Sequence, residues 1–219
     1  MPVPALDIEG GHGPVSFEEI RMSTDDIDIP RLKTLMRRRT IERILAMSPE
    51  LRHREETELV ARFPSLPGWI TAGTVLLYAN AFPEELDTEP LLQFALKSGK
   101  RVLCPRVHRR ESRLRLFEIH NLASDFEAGI LGIPEPRTTC PEVAPVEVDW
   151  VLVPGLAFDS QGFRLGRGAG HYDRLLPALR KDVPRWALIY ESQWVEAVPV
   201  EPHDVALDGV VSASRVIRP

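Results

Sequence analysis

The segment from Thr74 to Val107 restricts the possible folds more than any other part of this chain. Within it, "TVLLYA" (74–79) is a short unbroken apolar run. "TEPLLQFALKSG" (88–99) has a threonine and an early proline at its start and a glycine at its end, and "RVLCPRV" (101–107) is apolar again. The order is strand, helix, strand. Such a crossover is right-handed in nearly every known case, and its two parallel strands need helices over their faces.

The remaining segments extend that unit. "RLRLFEI" (113–119) alternates as a half-exposed strand does, and a proline-rich interval (132–147) reads as loop. "DWVLVPGLAF" (149–158), "WALIYE" (186–191) and "DGVVSAS" (208–214) supply further strands, with a helix near 171–180 between the first two. Upstream, a helix begins at Ile29, and Ser48 with Pro49 forms the cap and first position of a second helix running toward Phe63. The first helix has no clean stripe: Leu32, Leu35 and Met36 share a side that Ile41, Ile44 and Leu45 have left, which predicts burial on more than one side. The expected class is α/β, a three-layer α/β/α arrangement with a mostly parallel sheet of open, Rossmann-like topology.

Length and composition limit what such a fold is for. At 219 residues and 43% hydrophobic content, residues 29–219 are expected to form a single domain. Residues 1–28, acid-rich with one basic residue, Arg21, match neither a secretory signal nor an Arg-rich transit peptide and read as a mobile N-terminal extension. A net charge of -5 argues against coating nucleic acid or an anionic membrane, so any anion site is local. No apolar run reaches the ~18 to 20 residues of a membrane span. Two distant cysteines, Cys104 and Cys140, fit a reducing compartment and read as inert thiols. A cytoplasmic monomer acting on a small molecule is expected.

The chemistry concentrates in "GFRLGRGAGHYDRLL" (162–176), where Gly166, Gly168 and Gly170 alternate with Leu165, Arg167 and Ala169 ahead of a helix start. Glycines there let successive amides converge on one anion, and Arg164 and Arg167 add charge-assisted donors. A connecting turn is the plain alternative. The third glycine of a dinucleotide fingerprint is missing, since His171 stands there, and no Gly-Lys-Ser/Thr follows. Asp173 either favours the helix dipole or holds magnesium beside a triphosphate; Asp208, ahead of a strand, is a second candidate ligand or a turn residue. If Asp173 is a ligand, Asp173→Asn is expected to lower turnover with little loss of stability. Lys33 and Arg37, four apart in the basic run 31–43, stack on one helix face. No HExxH, GxSxG or paired cysteine supports covalent catalysis.

"LVPGLAFDSQGFRLGRGAGHYDRLL" resembles the signature of the 5-formyltetrahydrofolate cyclo-ligase family, and "LKTLMRRR", "EELDT", "GKRVLCPRV" and "DVALDGVV" follow the family's order. The resemblance implies ATP- and magnesium-dependent closure of 5-formyltetrahydrofolate to 5,10-methenyltetrahydrofolate through a phosphorylated formyl group, with ADP and phosphate released. By position it implies ATP contacts at Lys33, Arg37 and the segment Arg164, Leu165, Gly166, Arg167, Gly168, Ala169, Gly170, His171 and Tyr172. Magnesium falls to Asp173 and Asp208, folate to Tyr78, Glu85, Arg167 and His171, and stabilisation of the transferring phosphate to Arg164 and Arg167. Ala169 stands where some members have lysine, and His171 where many have tyrosine. Two other readings stay open: a non-catalytic nucleotide or folate module, and an enzyme for another N-formyl or phosphorylated substrate.

Overall fold

The computed structural model describes residues 28–129 and 132–219. Of the acidic extension only Asp28 falls within them; its carboxylate accepts from the Arg31 amide at 3.0 Å and caps α1 (Ile29–Leu45). Ser48 caps α2 (Pro49–Arg62) through the Leu51 amide, as the sequence predicts. The burial of α1 is unusual: Lys33, Thr40 and Ile44 are its buried residues. A helix that hides a lysine beside its apolar contacts has something other than core against that face.

The strands are β1 (Thr74–Leu76), β2 (Arg101–His108), β3 (Arg113–Ile119), β4 (Phe126–Ala128), β5 (Pro134–Pro136), β6 (Glu142–Val143) and β7 (Trp150–Leu152). They continue with β8 (Ala157–Phe158), β9 (Arg164–Leu165), β10 (Arg185–Leu188), β11 (Gly209–Val211) and β12 (Val216–Ile217). Eight of them form one sheet in the order β12-β11-β10-β7-β1-β2-β3-β6; β4 with β5 and β8 with β9 form two hairpins. From β11 to β2 all neighbours are parallel, and β12, β3 and β6 add antiparallel edges.

The βαβ unit is present. Thr74, Val75 and Leu76 pair with Arg101, Val102 and Leu103, and α3 (Glu89–Lys97) makes the crossover. Thr88 does not cap α3 with its hydroxyl, as its sequence position suggests; its Oγ1 bonds Asn80 instead and ties the loop after β1 to the helix start.

Alternate strand residues supply two cores. Val75, Leu77, Trp150 and Trp186 face α1, α2 and α3, where Phe63 and Trp69 pack at 4.2 Å between ring centroids. Leu76, Val151, Ala187 and Ile189 face α4 (His171–Leu175), a 3-10 turn at 176–178 and the β8–β9 hairpin. The layering is therefore lopsided. The helix expected over 171–180 is only five residues of α-helix before Pro177 tightens it, because proline has no N–H to continue the ladder. Among the described residues no helix is long and apolar enough to cross a membrane.

Candidate functional site

The strand order reverses direction at β1: β2 follows on one side, and β7, β10 and β11 on the other. The carboxyl ends of β1 and β7 thus border a crevice where α/β sheets bind ligands. Pro154 and Gly155 end β7 there, and Leu156 starts the β8–β9 hairpin by donating to the Leu165 carbonyl at 2.8 Å. A Cβ on Gly155 would lie 2.6 Å from the Phe158 ring, so the turn needs glycine.

The glycine loop leaves β9 at the mouth of this crevice. Gly168 and Gly170 have φ of +104° and +65°, values that side chains resist, whereas Gly166 has no such conformation and no atom within 4 Å of a Cβ position. Conformation requires glycine at 168 and 170, whereas a Cβ at 166 would meet no protein atom. Arg37 reaches across from α1 to donate from Nε to the Gly166 carbonyl at 2.8 Å, and its guanidinium lies against Gly168. Arg174 folds back onto the loop, donating to the carbonyls of Ala169 and Ser112.

Charged groups line the cavity of about 260 Å³ beneath this loop. Lys33 lies between Glu201 Oε2 (2.7 Å) and Asp204 Oδ2 (2.9 Å). Burial opposes its charge, but the bonds to Glu201 and Asp204 outweigh that and raise its pKa. Arg164 is buried, donating to Asp173 Oδ1 at 2.5 Å and to the Val205 carbonyl at 3.0 Å. Its charge is paired with Asp173, and its guanidinium holds that carboxylate at the base of the loop. Arg167 instead points across the crevice, 2.9 Å from Glu84 Oε1 and 3.0 Å from Glu85 Oε1.

A second, more apolar cavity of about 160 Å³ adjoins the first, with Tyr78, Phe82, Val107 and Pro134 among its walls. Glu85, Leu114, Pro154, Arg167 and Tyr172 border both. The hydroxyl of Tyr172 is buried there without a partner among the described residues. Burial pushes the pKa of Tyr172 up, and burial together with the Glu85 carboxylate does the same for Tyr78, so both stay phenols. His171 borders the first cavity, its pKa lowered by burial and by the Arg174 guanidinium.

Asp208 is not brought to this site. It precedes β11, at the amino-terminal end of the sheet, and its Oδ2 accepts from the Arg185 amide at 2.8 Å. Its carboxylate fixes the start of β10, and the crevice lies at the other ends of these strands. The acid that does reach the cavity is Asp204, four residues earlier in the same stretch, with Glu201 beside it. Glu84 is also new to the picture. No motif in the local sequence marks these residues, and only the partners Lys33 and Arg167 set them apart.

The 5-formyltetrahydrofolate cyclo-ligase family model matches residues 30–213. A 5-formyltetrahydrofolate cyclo-ligase of Escherichia coli K12 is 34% identical over 178 residues, covering 80% of this chain and 97% of the relative. One from Mycolicibacterium smegmatis is 32% identical, covering 78% and 98%. The solved structure of Aquifex aeolicus 5,10-methenyltetrahydrofolate synthetase superposes with a TM-score of 0.74 at 32% identity, over 85% of this chain and 92% of that one. With the match spanning every element from α1 to β11 and the glycine loop at its centre, the chain belongs to the 5-formyltetrahydrofolate cyclo-ligase family.

Proposed function

We propose that this protein converts 5-formyltetrahydrofolate to 5,10-methenyltetrahydrofolate, with ATP converted to ADP and phosphate. The observation that carries the reading is the pair of adjoining cavities with a shared wall: one bordered by the glycine loop, Lys33 and Arg37, the other apolar and aromatic. A polyphosphate suits the first and a flat bicyclic head suits the second. The names of the relatives support the folate substrate and its methenyl product.

In this reading the loop amides from Gly166 to Gly170, with Arg37 and Lys33, hold the polyphosphate, and Tyr78 and Phe82 pack against the folate while Glu85 accepts from its N–H groups. The formyl oxygen, aimed across the shared wall, attacks the terminal phosphorus and ADP leaves. The N10 lone pair then attacks the activated carbon; its C–O bond breaks, phosphate departs with the formyl oxygen, and the N10 proton is lost. No enzyme nucleophile is needed, because positioning and charge do the catalysis.

Of the carboxylates at the first cavity, Glu201 and Asp204 are held by Lys33 and Glu85 by Arg167, and Asp173, beside the glycine loop, is the one that fits magnesium. Asp173 borders the cavity with Oδ1 on Arg164, leaving Oδ2 toward the loop, and among the described residues no group of three or more His, Cys, Asp or Glu is gathered for a metal. One carboxylate with phosphate oxygens and water is a usual magnesium set, so the ion would arrive with the nucleotide and neutralise phosphate charge. The acidic net charge and the two free cysteines support a cytoplasmic, small-molecule enzyme.

The test mixes protein, magnesium, ATP and 5-formyltetrahydrofolate and follows the ultraviolet absorbance of the methenyl product. Growth that requires ATP is the expected result. Folded protein that binds ATP yet yields no such signal would favour a binding module instead.

A further inference from the structure

Arg167 stands between the two cavities, and two acids already hold it. Its Nη1 donates to Glu84 Oε1 at 2.9 Å, Nη2 and Nε donate to Glu85 Oε1 at 3.0 and 3.2 Å, and its guanidinium lies 3.9 Å over the Phe82 ring. The acids sit on a fixed platform. Glu85 Oε2 accepts from the amides of Ala81 and Phe82, and Arg52 of α2 donates to the carbonyls of Pro83 and Glu85. Arg167 is carried on the glycine loop, which Arg37 pins at the Gly166 carbonyl, but its side chain is one-third exposed. The part of this contact free to turn is the guanidinium.

Glu84 differs from Glu85 in place. Its side chain is 7% exposed, and it borders neither cavity, whereas Glu85 borders both. Its polar contact among the described residues is Arg167. By holding Nη1, this buried carboxylate aligns the guanidinium so that Nε and Nη2 meet Glu85, and without it the contact that folate competes for is weaker.

We infer that Glu84 and Glu85 form a latch on Arg167 that makes occupation of one cavity depend on occupation of the other, with Glu84 as a positioning residue that sets the latch's strength. This rests on the assignment of nucleotide and folate to the two cavities. A polyphosphate entering alone must draw Arg167 away from two carboxylates. A folate head whose N–H groups bond to Glu85 takes up one of those carboxylates and loosens the arginine for the phosphates. Each ligand thereby strengthens binding of the other, and the coupling is reciprocal.

The experiment is calorimetric titration of a non-hydrolysable β,γ-imido ATP analogue with magnesium, alone and with saturating 5-formyltetrahydrofolate, on wild type and Glu84→Gln. In wild type the folate is expected to tighten analogue binding about fivefold or more. In Glu84→Gln the analogue alone should bind several-fold tighter, and the ratio between the two conditions should shrink toward one. Loss of one negative charge acting only through space would tighten both conditions equally and keep the ratio, which would overturn the latch. Glu84→Asp, which keeps the charge but withdraws the carboxylate by one methylene, should reduce the ratio in the same direction and serves if Glu84→Gln does not fold. Wild type that binds both ligands with a ratio of one refutes the latch alone. Wild type that binds neither refutes the cavity assignment, and the latch with it.

Discussion

Arg164 and Asp173, nine residues apart, are joined by an ion pair of 2.5 Å that encloses the glycine loop between them, with the arginine side chain 3% exposed. The loop is thus closed at its base by a salt bridge, and this changes what a substitution at Asp173 should do. The sequence predicted loss of turnover in Asp173→Asn with little loss of stability. With Arg164 buried, the neutral amide leaves a cation without its counter-charge, and roughly 2–3 kcal/mol of stability should go with the activity. The double variant Arg164→Met with Asp173→Asn removes both charges and should recover much of that stability while staying inactive. Urea denaturation of the two singles and the double measures the coupling; additive losses would show that the pair does not hold the loop.

The glycines separate conformation from space. Gly168→Ala forces a side chain onto a residue at φ +104°, and about 1–2 kcal/mol of stability should be lost. Gly166→Ala meets no protein atom within 4 Å, so its melting temperature should match wild type. Its added methyl instead projects beside the cavity, and the KM for ATP should rise several-fold with the folate KM nearly unchanged. Equal melting temperatures for both variants would contradict this division.

The sheet was legible because short apolar runs bounded by caps and glycines report strand and helix directly: β1, α3 and β2 follow from residues 74–107 with their order and parallel pairing. The glycine loop was legible for the same reason, since only a backbone needing unusual φ spends glycine at 168 and 170. Asp208 lies away from the crevice, and its position before a strand does not by itself say which end of the sheet it occupies. "DGVV" reads alike at either end, and only its parallel pairing with β10 puts Asp208 at the amino-terminal side. Glu84, Glu201 and Asp204 were not legible, because each depends on a partner more than 80 residues away. The α4 helix is shorter than its sequence suggests because Pro177 stops the α-helical ladder after Leu175.

His171 should titrate below the ordinary histidine value of about 6.5, since burial and the Arg174 guanidinium both disfavour its protonated form. The unfolded chain then takes up a proton that the folded one refuses, so stability contributed by neutral His171 is present above about pH 6.5 and falls as pH drops below it. Histidine proton resonances followed by NMR should give His171 a midpoint below the ordinary value. The melting-temperature difference between wild type and His171→Phe should move in the variant's favour from pH 8 to pH 5.5. A midpoint at or above the ordinary value would show that the ring is solvated and its neighbour screened. On the proposed placement of the nucleotide, negative charge arrives beside this ring, so adding the imido analogue should move the midpoint up.

Lys33 ties α1 to the segment 201–204, and its two partners make its contribution depend on pH at both ends. The Asp204 pKa is lowered: burial opposes ionisation, but the Glu201 amide and Lys33 outweigh it. A depressed carboxylate stabilises the fold above its unfolded value of about 3.9 and loses that effect as pH falls through the folded value. The Lys33 pKa is raised, so its share is present below about 10.4 and is lost as pH rises through the folded value. Lys33→Met leaves Asp204, 12% exposed, and the more open Glu201 facing each other without a cation. It should cost about 3 kcal/mol near pH 7, toward the lower end for a broken buried pair because Glu201 can turn to solvent. In urea titrations from pH 3 to pH 8 the gap between wild type and variant should be widest above pH 5. It should close toward pH 3, as protonation of Asp204 removes the interaction from wild type and relieves the repulsion in the variant. A gap constant across that range would mean that Lys33 acts through the packing of its methylene stem and not through its charge.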